Sequence, residues 1–313
     1  MKKNKFMGIF KKRKICVTHN GAFHADDLFA TATLSILNNG NIKIIRTRDP
    51  NIIATGDYIY DIGGENISEQ NLFDHHQKGG GGVRPNGIPY AAFGLVWRKY
   101  GEQICGSKEV ANIIDLKIVM PIDAKDNGVD ITKFIFEGVH PYSVNSIFLS
   151  EMPTWKEDNS KIDSIFIKQV KKAIELLERE IKVAKDDVEG QEIILEAYKK
   201  TGDKRIIVVD FNLSRYLMQE TLCRFEEPMY FVYPSIRGGK VIGWKTEAVR
   251  KSIDTMESRK LFPESWRGLM EIGGKLKEVT GVEDAQFCHQ SGFFLTVGSK
   301  EGAIKLANKA IMS

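Results

Sequence analysis

Side chains that could bind a metal ion are concentrated in the first quarter of the chain. Asp74, His75 and His76 are three consecutive ionisable residues that directly follow the apolar Phe73. An unpaired carboxylate in such a partly buried position is costly, so it requires a partner. That partner is either a basic residue or a metal ion held jointly with other acids and imidazoles. The basic candidates are Arg46, Arg48 and Lys125, and the other candidate metal ligands are His19, His24, Asp26, Asp27, Asp61, Asp123 and Asp126.

The types of these side chains indicate which metal would bind and what it would do. Carboxylates with a minority of imidazoles favour Mn²⁺ or Mg²⁺ over Zn²⁺, which prefers thiolates. Four of the carboxylates together carry the charge that two divalent cations neutralise: Asp26, Asp61, Asp74 and Asp123. Paired cations about 3.5–4 Å apart turn a bridging water into hydroxide and bind both reacting oxygens in phosphoryl transfer. The composition therefore predicts two divalent cations, with Mn²⁺ preferred and Mg²⁺ as the alternative, and a reaction at phosphorus.

Alternating strand and helix patterns in the first half would bring these side chains together. Residues 15–18, 42–46 and 58–62 have the character of strands, and residues 27–37 have helical periodicity. Strand–helix–strand units of this length indicate an α/β domain, in which helices cover both faces of a parallel sheet. Ligands of such sheets bind at the carboxyl ends of the strands. His19, Asp61 and the Asp-His-His run all fall at that edge.

Four consecutive glycines, residues 79–82, follow the Asp-His-His run and are flanked by Lys78 and Arg84. This segment is either a lid over a bound phosphate or a simple linker. It is not a Walker loop, since the pattern G-x-x-x-x-G-K-[ST] does not occur, and the dinucleotide-binding pattern G-x-G-x-x-G is also absent from the sequence.

The second half of the chain has a different organisation. Residues 162–188 have the periodicity of one long helix, which Gly190 interrupts; we interpret it as a connector rather than as a face for a partner subunit. Strand-like runs then alternate with helical ones, which predicts a smaller α+β domain with a partly antiparallel sheet. The predicted parts of the chain are a basic disordered tail at 1–14, a metal-binding domain at 15–155, a helical connector at 156–200 and a substrate-binding domain at 201–313.

Charge is distributed unevenly along the 313 residues. Lys and Arg number 45 against 41 Asp and Glu, a net charge of +4, yet the first 14 residues hold seven basic residues and no acid. The rest of the chain therefore carries −3 (4 minus 7), which argues against an extended footprint on duplex nucleic acid. No apolar run approaches the ~20 residues that cross a bilayer. The four cysteines form no C-x-x-C pair, as expected for a cytoplasmic protein with reduced thiols.

Several motifs in combination resemble the DHH phosphoesterase superfamily, and within it the melanocyte-proliferating-gene exonuclease family, whose bacterial members are often labelled metal-dependent protein hydrolases. The similar runs in the first half are Thr18-His19-Asn20-Gly21-Ala22-Phe23-His24-Ala25-Asp26-Asp27, Asp61-Ile62-Gly63-Gly64-Glu65, Phe73-Asp74-His75-His76-Gln77 and Asp123-Ala124-Lys125-Asp126-Asn127-Gly128. In the second half they are Pro263-Glu264-Ser265-Trp266-Arg267-Gly268-Leu269 and Cys288-His289-Gln290-Ser291-Gly292. The resemblance begins near Ile15 and reaches the C-terminus.

The resemblance implies roles for individual residues. His24 and Asp26 would bind one metal ion, Asp61 and Asp74 would be shared, and Asp123 would complete the set. His75 and His76, with Asp74, would act at the metal or on the phosphate. The superfamily pattern His-x-x-x-Asp-x-Asp is spaced differently here, so the alternative metal ligands are His19, Asp27 and Asp126. Substrate would be bound by Arg267, His289, Ser291, Gly292, Lys78 and Arg84.

These observations together predict a two-domain, two-metal phosphodiesterase, specifically a 3′→5′ exonuclease acting on RNA or short single-stranded oligonucleotides. One alternative is hydrolysis of a small phosphate such as pyrophosphate or a cyclic dinucleotide. Another is a non-catalytic RNA-binding module whose basic tail holds RNA. A peptidase is the least favoured function, because H-E-x-x-H does not occur. We expect no membrane partner. A homodimer that packs through the long helix is the alternative to its role as a connector.

Overall fold

The computed structural model describes residues 12–270 and 274–313. The chain divides into two compact units, of which the first ends at Lys185 and the second is Asp186–Ser313. Among the described residues, each unit is built on one five-stranded sheet with helices, which confirms the predicted α/β class. The boundary falls inside the long helix, within the segment predicted to connect the domains. Residues 1–11 of the predicted basic tail lie outside the described residues.

The first unit contains five strands and most of the helices of the chain. Its strands are β1 (Lys14–Thr18), β2 (Ile42–Arg46), β3 (Tyr58–Tyr60), β4 (Asn66–Ile67) and β5 (Leu72–Phe73). Its helices are α1 (Ala25–Leu37), α2 (Pro50–Ile53), α3 (Ala92–Cys105), α4 (Lys108–Ile114), α5 (Met120–Asp126), α6 (Val144–Leu149) and the first part of α7 (Ile162–Lys200). None of the helices in the described part of the chain is both long and apolar enough to cross a bilayer.

The first sheet has the strand order β2-β1-β3-β5-β4, and only β4 runs antiparallel to its neighbour. The chain leaves β1, crosses through α1 to β2 on one side, and then returns to β3 on the other side of β1. The direction of winding thus reverses between β1 and β3, and ligands of open α/β sheets bind at such a switch point. His19 follows β1 there, and Asp61 follows β3.

Helix α1 lies in the interior of the first unit, and its residues from Ala25 to Ser35 are buried. Strand β1 is equally enclosed, since Cys16, Val17 and Thr18 have no exposed surface. A strand buried on both faces is typical of a parallel sheet covered by helices. Polar side chains on α1 and at the end of β1 therefore lie where water is largely excluded.

A π-helical turn at Asp115–Val119 joins α4 to α5. The helical path continues through this turn to Asp126. Pro121 lies just beyond the π-helical turn and does not stop the path. Asp123 and Asp126 consequently lie three residues apart on one helix, which puts them on neighbouring positions of its surface.

The second unit carries the rest of α7 and a mixed sheet. Its further elements are β6 (Ile206–Val208), α8 (Arg215–Leu222), β7 (Tyr230–Arg237), β8 (Lys240–Ala248), α9 (Lys275–Thr280), β9 (Ala285–Cys288), β10 (Phe294–Val297) and α10 (Lys300–Met312). The strand order is β6-β7-β8-β10-β9, with β6 and β7 parallel and the other pairs antiparallel. Alternate residues of β7 enter different cores: Tyr230 and Val232 pack beside α10, whereas Phe231 and Tyr233 pack beside α8.

Gly190 does not interrupt α7, which corrects the sequence prediction. The helix runs unbroken to Lys200. A Cβ atom on Gly190 would lie only 2.7 Å from Leu217 Cδ2 of α8. The glycine therefore permits close packing of two helices in the second unit rather than ending one of them.

Asp57, just before β3, ties the start of β1 in place. Its carboxylate accepts hydrogen bonds from the Ile15 N–H at 2.8 Å and from Lys14 Nζ at 2.9 Å. These bonds hold the pKa of Asp57 below its usual value, so the stability they provide is present at neutral pH and is lost as the pH falls through that lowered pKa. We expect Asp57→Asn to lower the free energy of unfolding by about 0.5–1 kcal/mol at pH 7.

Urea unfolding of both proteins across a pH series measures this effect. The difference in unfolding free energy should shrink as the pH drops below the ordinary aspartate pKa of about 3.9. A difference that stays constant down to acidic pH would contradict the assignment.

Candidate metal centre

Two acids from different elements face His19 at the carboxyl end of β1. His19 Nε2 lies 3.1 Å from Asp61 Oδ2 and 3.4 Å from Asp27 Oδ2. The other oxygen of Asp27 accepts a hydrogen bond from the His24 N–H at 2.9 Å, which closes the first turn of α1 and leaves Oδ2 directed at His19. We call His19, Asp27 and Asp61 the His19 group; all three residues are buried.

A second group forms around His75. His75 Nε2 lies 3.3 Å from Asp126 Oδ2 at the end of α5, and Asp26 from α1 completes the set, which we call the His75 group. Asp26 accepts hydrogen bonds from the N–H groups of Ala92 and Phe93 at 3.0 and 2.7 Å. These N–H groups belong to the start of α3, where the helix dipole favours a negative charge. Helix α3 thus fixes the orientation of Asp26.

Asp61 and His75 connect these groups to each other. His75 Nε2 is 3.3 Å from Asp61 Oδ1, and His76 Nδ1 is 3.6 Å from the same oxygen. Asp61 therefore belongs to the His19 group and also to a third set with His75 and His76. It adopts φ = +56°, in the left-handed region that only a few residue types other than glycine, aspartate among them, enter readily. We refer to all seven residues as the carboxylate–imidazole cluster.

Asp74 shapes the turn that carries the two histidines. Its Oδ1 accepts hydrogen bonds from the N–H groups of His75 and His76, at 2.8 and 3.2 Å, and contacts His76 Nδ1 at 2.8 Å. Its Oδ2 accepts from the Gly64 N–H, whose residue has φ = +73°. Asp74 belongs to none of the three sets of residues described above whose ligand atoms lie close enough together to hold a metal ion. Its contacts instead orient His76 towards Asp61.

The structure separates the two acids of α5 that the sequence left as alternatives. Asp123 is fully buried against Arg84, with 2.7 Å between Oδ2 and Nη1, and accepts from the Gly94 N–H at 3.0 Å. A Cβ atom on Gly94 would lie 1.8 Å from Asp123 Oδ2, so this pairing requires glycine in α3. Arg84 also pairs with Asp115 at 2.9 Å. Asp126, in contrast, lies in the cluster.

The cluster has acids and imidazoles but no basic side chain. Among the described residues, no Lys or Arg nitrogen forms an ion pair with Asp26, Asp27, Asp61, Asp74 or Asp126. Arg46, a candidate partner from the sequence, instead pairs with Asp163 and packs over Phe166. Buried oxygens of Asp27 and Asp61 and both ring nitrogens of His75 also lack a hydrogen-bond partner in the described part of the chain. Because buried charge of this kind requires compensation, the donor set fits divalent cations.

Burial and mutual repulsion perturb the pKa values of the cluster. Burial, reinforced by the charge of Asp61, raises the pKa values of three acids. That of Asp26 lies well above its usual value, that of Asp27 is raised to about 7, and that of Asp126 is also raised. For His19 and His75, burial opposes protonation, but Asp61 outweighs it and raises both pKa values. Burial acts against ionisation of Asp61 too, yet His19 and His75 lower its pKa. Without a metal ion, the cluster therefore retains protons near neutral pH.

The candidate substrate residues occupy three places. Lys78 is exposed in the glycine-rich turn, whereas Arg84 is buried in its ion pairs. In the second unit, Arg267 donates from Nε to the Phe262 carbonyl at 2.9 Å, beside Gly292, where a Cβ would lie 2.5 Å from that nitrogen. The Ser291 N–H donates to His289 Nδ1 at 3.0 Å, and the Gly292 N–H donates to the His289 carbonyl at 2.8 Å. The backbone N–H groups of this turn are thus used internally, which leaves its side chains for a ligand.

Residues 129–146 lie next to the cluster, and the sequence did not predict them as part of the site. Their apolar residues follow neither a helical nor a strand period, so the pattern predicted no element, although α6 begins at Val144. The signal that could have identified them is the density of large apolar side chains in residues 131–136. Ile131, Phe134, Ile135 and Phe136 are all at least half exposed.

Comparison with known proteins identifies the family. The model of the MYG1 exonucleases, described as an uncharacterised protein family (UPF0160), matches residues 14–311. The chain belongs to the MYG1 family. A MYG1 exonuclease of Mus musculus is 26% identical over 330 residues, covering 94% of this chain and 84% of the relative. A MYG1 protein of Schizosaccharomyces pombe is 27% identical over 328 residues, covering 94% of this chain and 96% of the relative. A MYG1 protein of Chlamydia pneumoniae is 30% identical over 286 residues, covering 90% of this chain and 90% of the relative.

The resemblance to this family predicted from the sequence is confirmed. The mammalian relatives are named exonucleases, so membership of the MYG1 family supports a nuclease-like function at the level of the family. The cluster of carboxylates and imidazoles in this chain could hold a metal ion.

The separation of Asp123 from Asp126 leads to a first prediction for the site. Asp126→Asn should weaken Mn²⁺ binding by at least about 10-fold, the scale on which changes around a metal site act, and should leave the fold stable. Asp123→Asn should instead destabilise the protein by about 3 kcal/mol, because the buried Arg84 loses its fully buried partner.

Calorimetric titration with Mn²⁺ and urea unfolding of the two variants distinguish these effects. If Asp123→Asn lost metal binding without losing stability, or Asp126→Asn did the reverse, the assignment of the two acids would be wrong.

The raised pKa values lead to a prediction about pH. Protons on Asp26, Asp27, His19 and His75 must leave when a cation binds, so Mn²⁺ binding should release protons and should tighten as the pH rises. The raised pKa values also mean that the metal-free protein loses stability with rising pH, since fewer protons then compensate the buried charge. The increase in Tm caused by saturating Mn²⁺ should therefore be larger at pH 8 than at pH 6.

Thermal unfolding with Mn²⁺ or with EDTA at the two pH values provides the measurement, and calorimetry in buffers of different ionisation enthalpy counts the protons. An equal Tm increase at both pH values, with no proton release, would contradict this reading of the cluster.

Proposed function

We propose that this chain is a two-metal phosphodiesterase of the DHH type that hydrolyses RNA or short single-stranded oligonucleotides from the 3′ end. Mn²⁺ would be the preferred cation and Mg²⁺ the alternative. The observation that carries the proposal is the position of Asp61, whose two oxygens face different groups of candidate ligands. Oδ2 faces His19, and Oδ1 faces His75 and His76.

The arrangement around Asp61 favours two cations over one. The His19 group and the His75 group share no residue, and each offers one imidazole and at least one carboxylate beside Asp61. A carboxylate that lies between two such groups would be available to both cations of a pair. The acids without a basic partner also carry more negative charge than one divalent cation neutralises. We therefore assign His19, Asp27 and Asp61 to one cation and Asp26, Asp126 and His75, with Asp61 shared, to the other.

The remaining residues of the Asp-His-His run would act on the substrate. A cation pair would supply a water deprotonated near neutral pH and positive charge for the phosphate oxygens. His76 has a side chain that is 63% exposed, and Asp74 holds its Nδ1. When its ring is doubly protonated, His76 would donate from Nε2 to a phosphate oxygen as charge develops there. Asp74 would be the positioning residue for His76, and His24, 52% exposed and 3.9 Å from Asp126, would border the same cation site.

The choice of substrate rests on chemistry and on the names of the relatives. The mammalian relatives are named exonucleases, and the negative charge of the chain beyond its first 14 residues favours a short substrate over an extended duplex. Lys78, which is exposed and follows the Asp-His-His run, would contact a phosphate of the substrate. Arg267 and His289 are the candidate phosphate contacts of the second unit. Digestion from the 3′ end and the preference for RNA are part of the proposal.

Replacing Asp61 tests the proposal most directly, and the chain offers a matched control. Asp61→Asn keeps the size of the residue and its tolerance of a positive φ but removes the shared charge. We expect it to lower Mn²⁺-dependent hydrolysis of a 5′-labelled oligoribonucleotide by about 10²- to 10³-fold or more, and to lower the number of bound Mn²⁺ ions. Asp57→Asn, at the other end of β3, should retain activity and metal content.

Substrates offered in parallel separate the alternatives. An oligoribonucleotide, an oligodeoxyribonucleotide, pyrophosphate and a cyclic dinucleotide should be hydrolysed with a clear preference for the first. Shortening of the labelled strand in single-nucleotide steps would support attack from the 3′ end. Preference for pyrophosphate, or full activity of Asp61→Asn, would overturn the proposal.

A further inference from the structure

A cavity of about 760 Å³ lies beside the carboxylate–imidazole cluster. Its lining includes His24, Asp26 and Asp126, so it is continuous with the proposed cation sites. The volume is within the range of pockets that bind small organic molecules, about 300–1,000 Å³. A substrate phosphate at the cluster would therefore have room on this side for the group attached to it.

Much of the lining is apolar and aromatic, and residues 129–146 provide a large part of this apolar wall. Ile131, Phe134 and Val144 line the cavity, as does His140. The rings of Phe134 and His140 are in contact, with centroids 4.5 Å apart and planes at 74°. Phe134 remains 50% exposed. A half-exposed aromatic face beside a phosphate site is a surface on which a nucleobase can stack.

This wall is held in place against the helix that carries two of the candidate metal ligands. Asn145 Oδ1 accepts a hydrogen bond from the Ala25 N–H at 3.2 Å. Phe148 in α6 is buried and packs against Phe29 of α1, with ring centroids 5.3 Å apart. The end of the segment is therefore fixed relative to Asp26 and Asp27, which are also on α1.

The charges around the cavity favour an uncharged ring over a phosphate. Asp26, Asp126 and Asp130 line one part of it, and Lys117 is engaged by Glu180 at 2.6 Å. Lys125 is the remaining basic residue in the lining and is exposed. Away from bound cations, the acids would repel a phosphate group. Covering the face of a base, in contrast, would remove apolar surface of the wall from water. Lys125 and Thr132 also line the cavity and are the candidates to contact the polar edge of the base.

We propose that this cavity binds the nucleobase of the nucleotide at the cleaved end of the substrate, with Phe134 as the stacking residue. The proposal rests on the phosphodiesterase function proposed above and adds the recognition of the base to it. It predicts that a terminal nucleotide with a base is bound and hydrolysed more efficiently than one without a base, and that Phe134 is responsible for the difference.

Binding of two probes to the full chain tests the proposal without relying on turnover. With Mn²⁺ present, calorimetry should show AMP binding about 5- to 150-fold more tightly than ribose 5-phosphate, the range expected for stacking of one base. Phe134→Ala should remove most of this preference while leaving Tm unchanged, because the residue is half exposed in a loop. The matched control is Phe136→Ala, in the same segment but outside the cavity lining, which should keep the preference.

Two results would overturn the base-binding site. One is equal affinity of the wild-type chain for AMP and ribose 5-phosphate; the other is a preference for AMP that survives Phe134→Ala. Sedimentation of the same variants checks whether a second copy of the chain covers the cavity. A dimer that dissociates on Phe134→Ala, without any preference for AMP, would also refute the proposal.

Oligonucleotides with and without a terminal base distinguish failure of this proposal from failure of the function. If the wild-type chain hydrolyses both equally well, the phosphodiesterase proposal holds and the base-binding site is refuted. If AMP is preferred and the preference depends on Phe134, but no oligonucleotide is cleaved, the base-binding site is supported and the proposed activity is wrong.

Discussion

The structure of the first unit is governed by a group of buried acids that form no ion pair with Lys or Arg in the described part of the chain. Asp26, Asp27 and Asp61 come from α1 and from the end of β3, and each is almost completely withdrawn from water. A protein can keep such groups in its interior only by protonating them or by binding cations there. The hydrogen bonds of Asp26 to α3 and of Asp27 to the start of α1 orient the oxygens without neutralising the charge. The interior is thus organised for a ligand of positive charge.

The neighbouring ion pair shows how differently the same fold surrounds an acid that has an arginine partner. Asp123 is as deeply buried as Asp26, but Arg84 lies against it and Gly94 leaves the space for the contact. Its charge is compensated within the protein, whereas Asp126, three residues later, faces His75. One short helix therefore carries one acid that is paired with an arginine and one acid that belongs to the cluster.

Local patterns in the sequence predicted much of this fold, and interactions between distant residues account for what they missed. The apolar runs of β1 and β2 placed these strands to within one residue, and the parallel topology placed His19, Asp61 and Asp74 at one edge. The effect of Gly190 depended on a neighbour in space, Leu217 of α8, and the residue proved compatible with helix. The sequence could not choose between Asp123 and Asp126, because the position of Arg84 is a tertiary property. The aromatic wall at residues 129–146 has no periodicity from which to infer it.

The π-helical turn at Asp115–Val119 has a consequence for how the chain reaches this site. Such a turn holds one residue more than a regular helix would, and Pro121 lies just beyond its end. In the interior of a regular α-helix, the ring of a proline clashes with the carbonyl group four residues earlier. The wider turn gives the ring room, so the chain passes through a proline and still presents Asp123 and Asp126 on a helix.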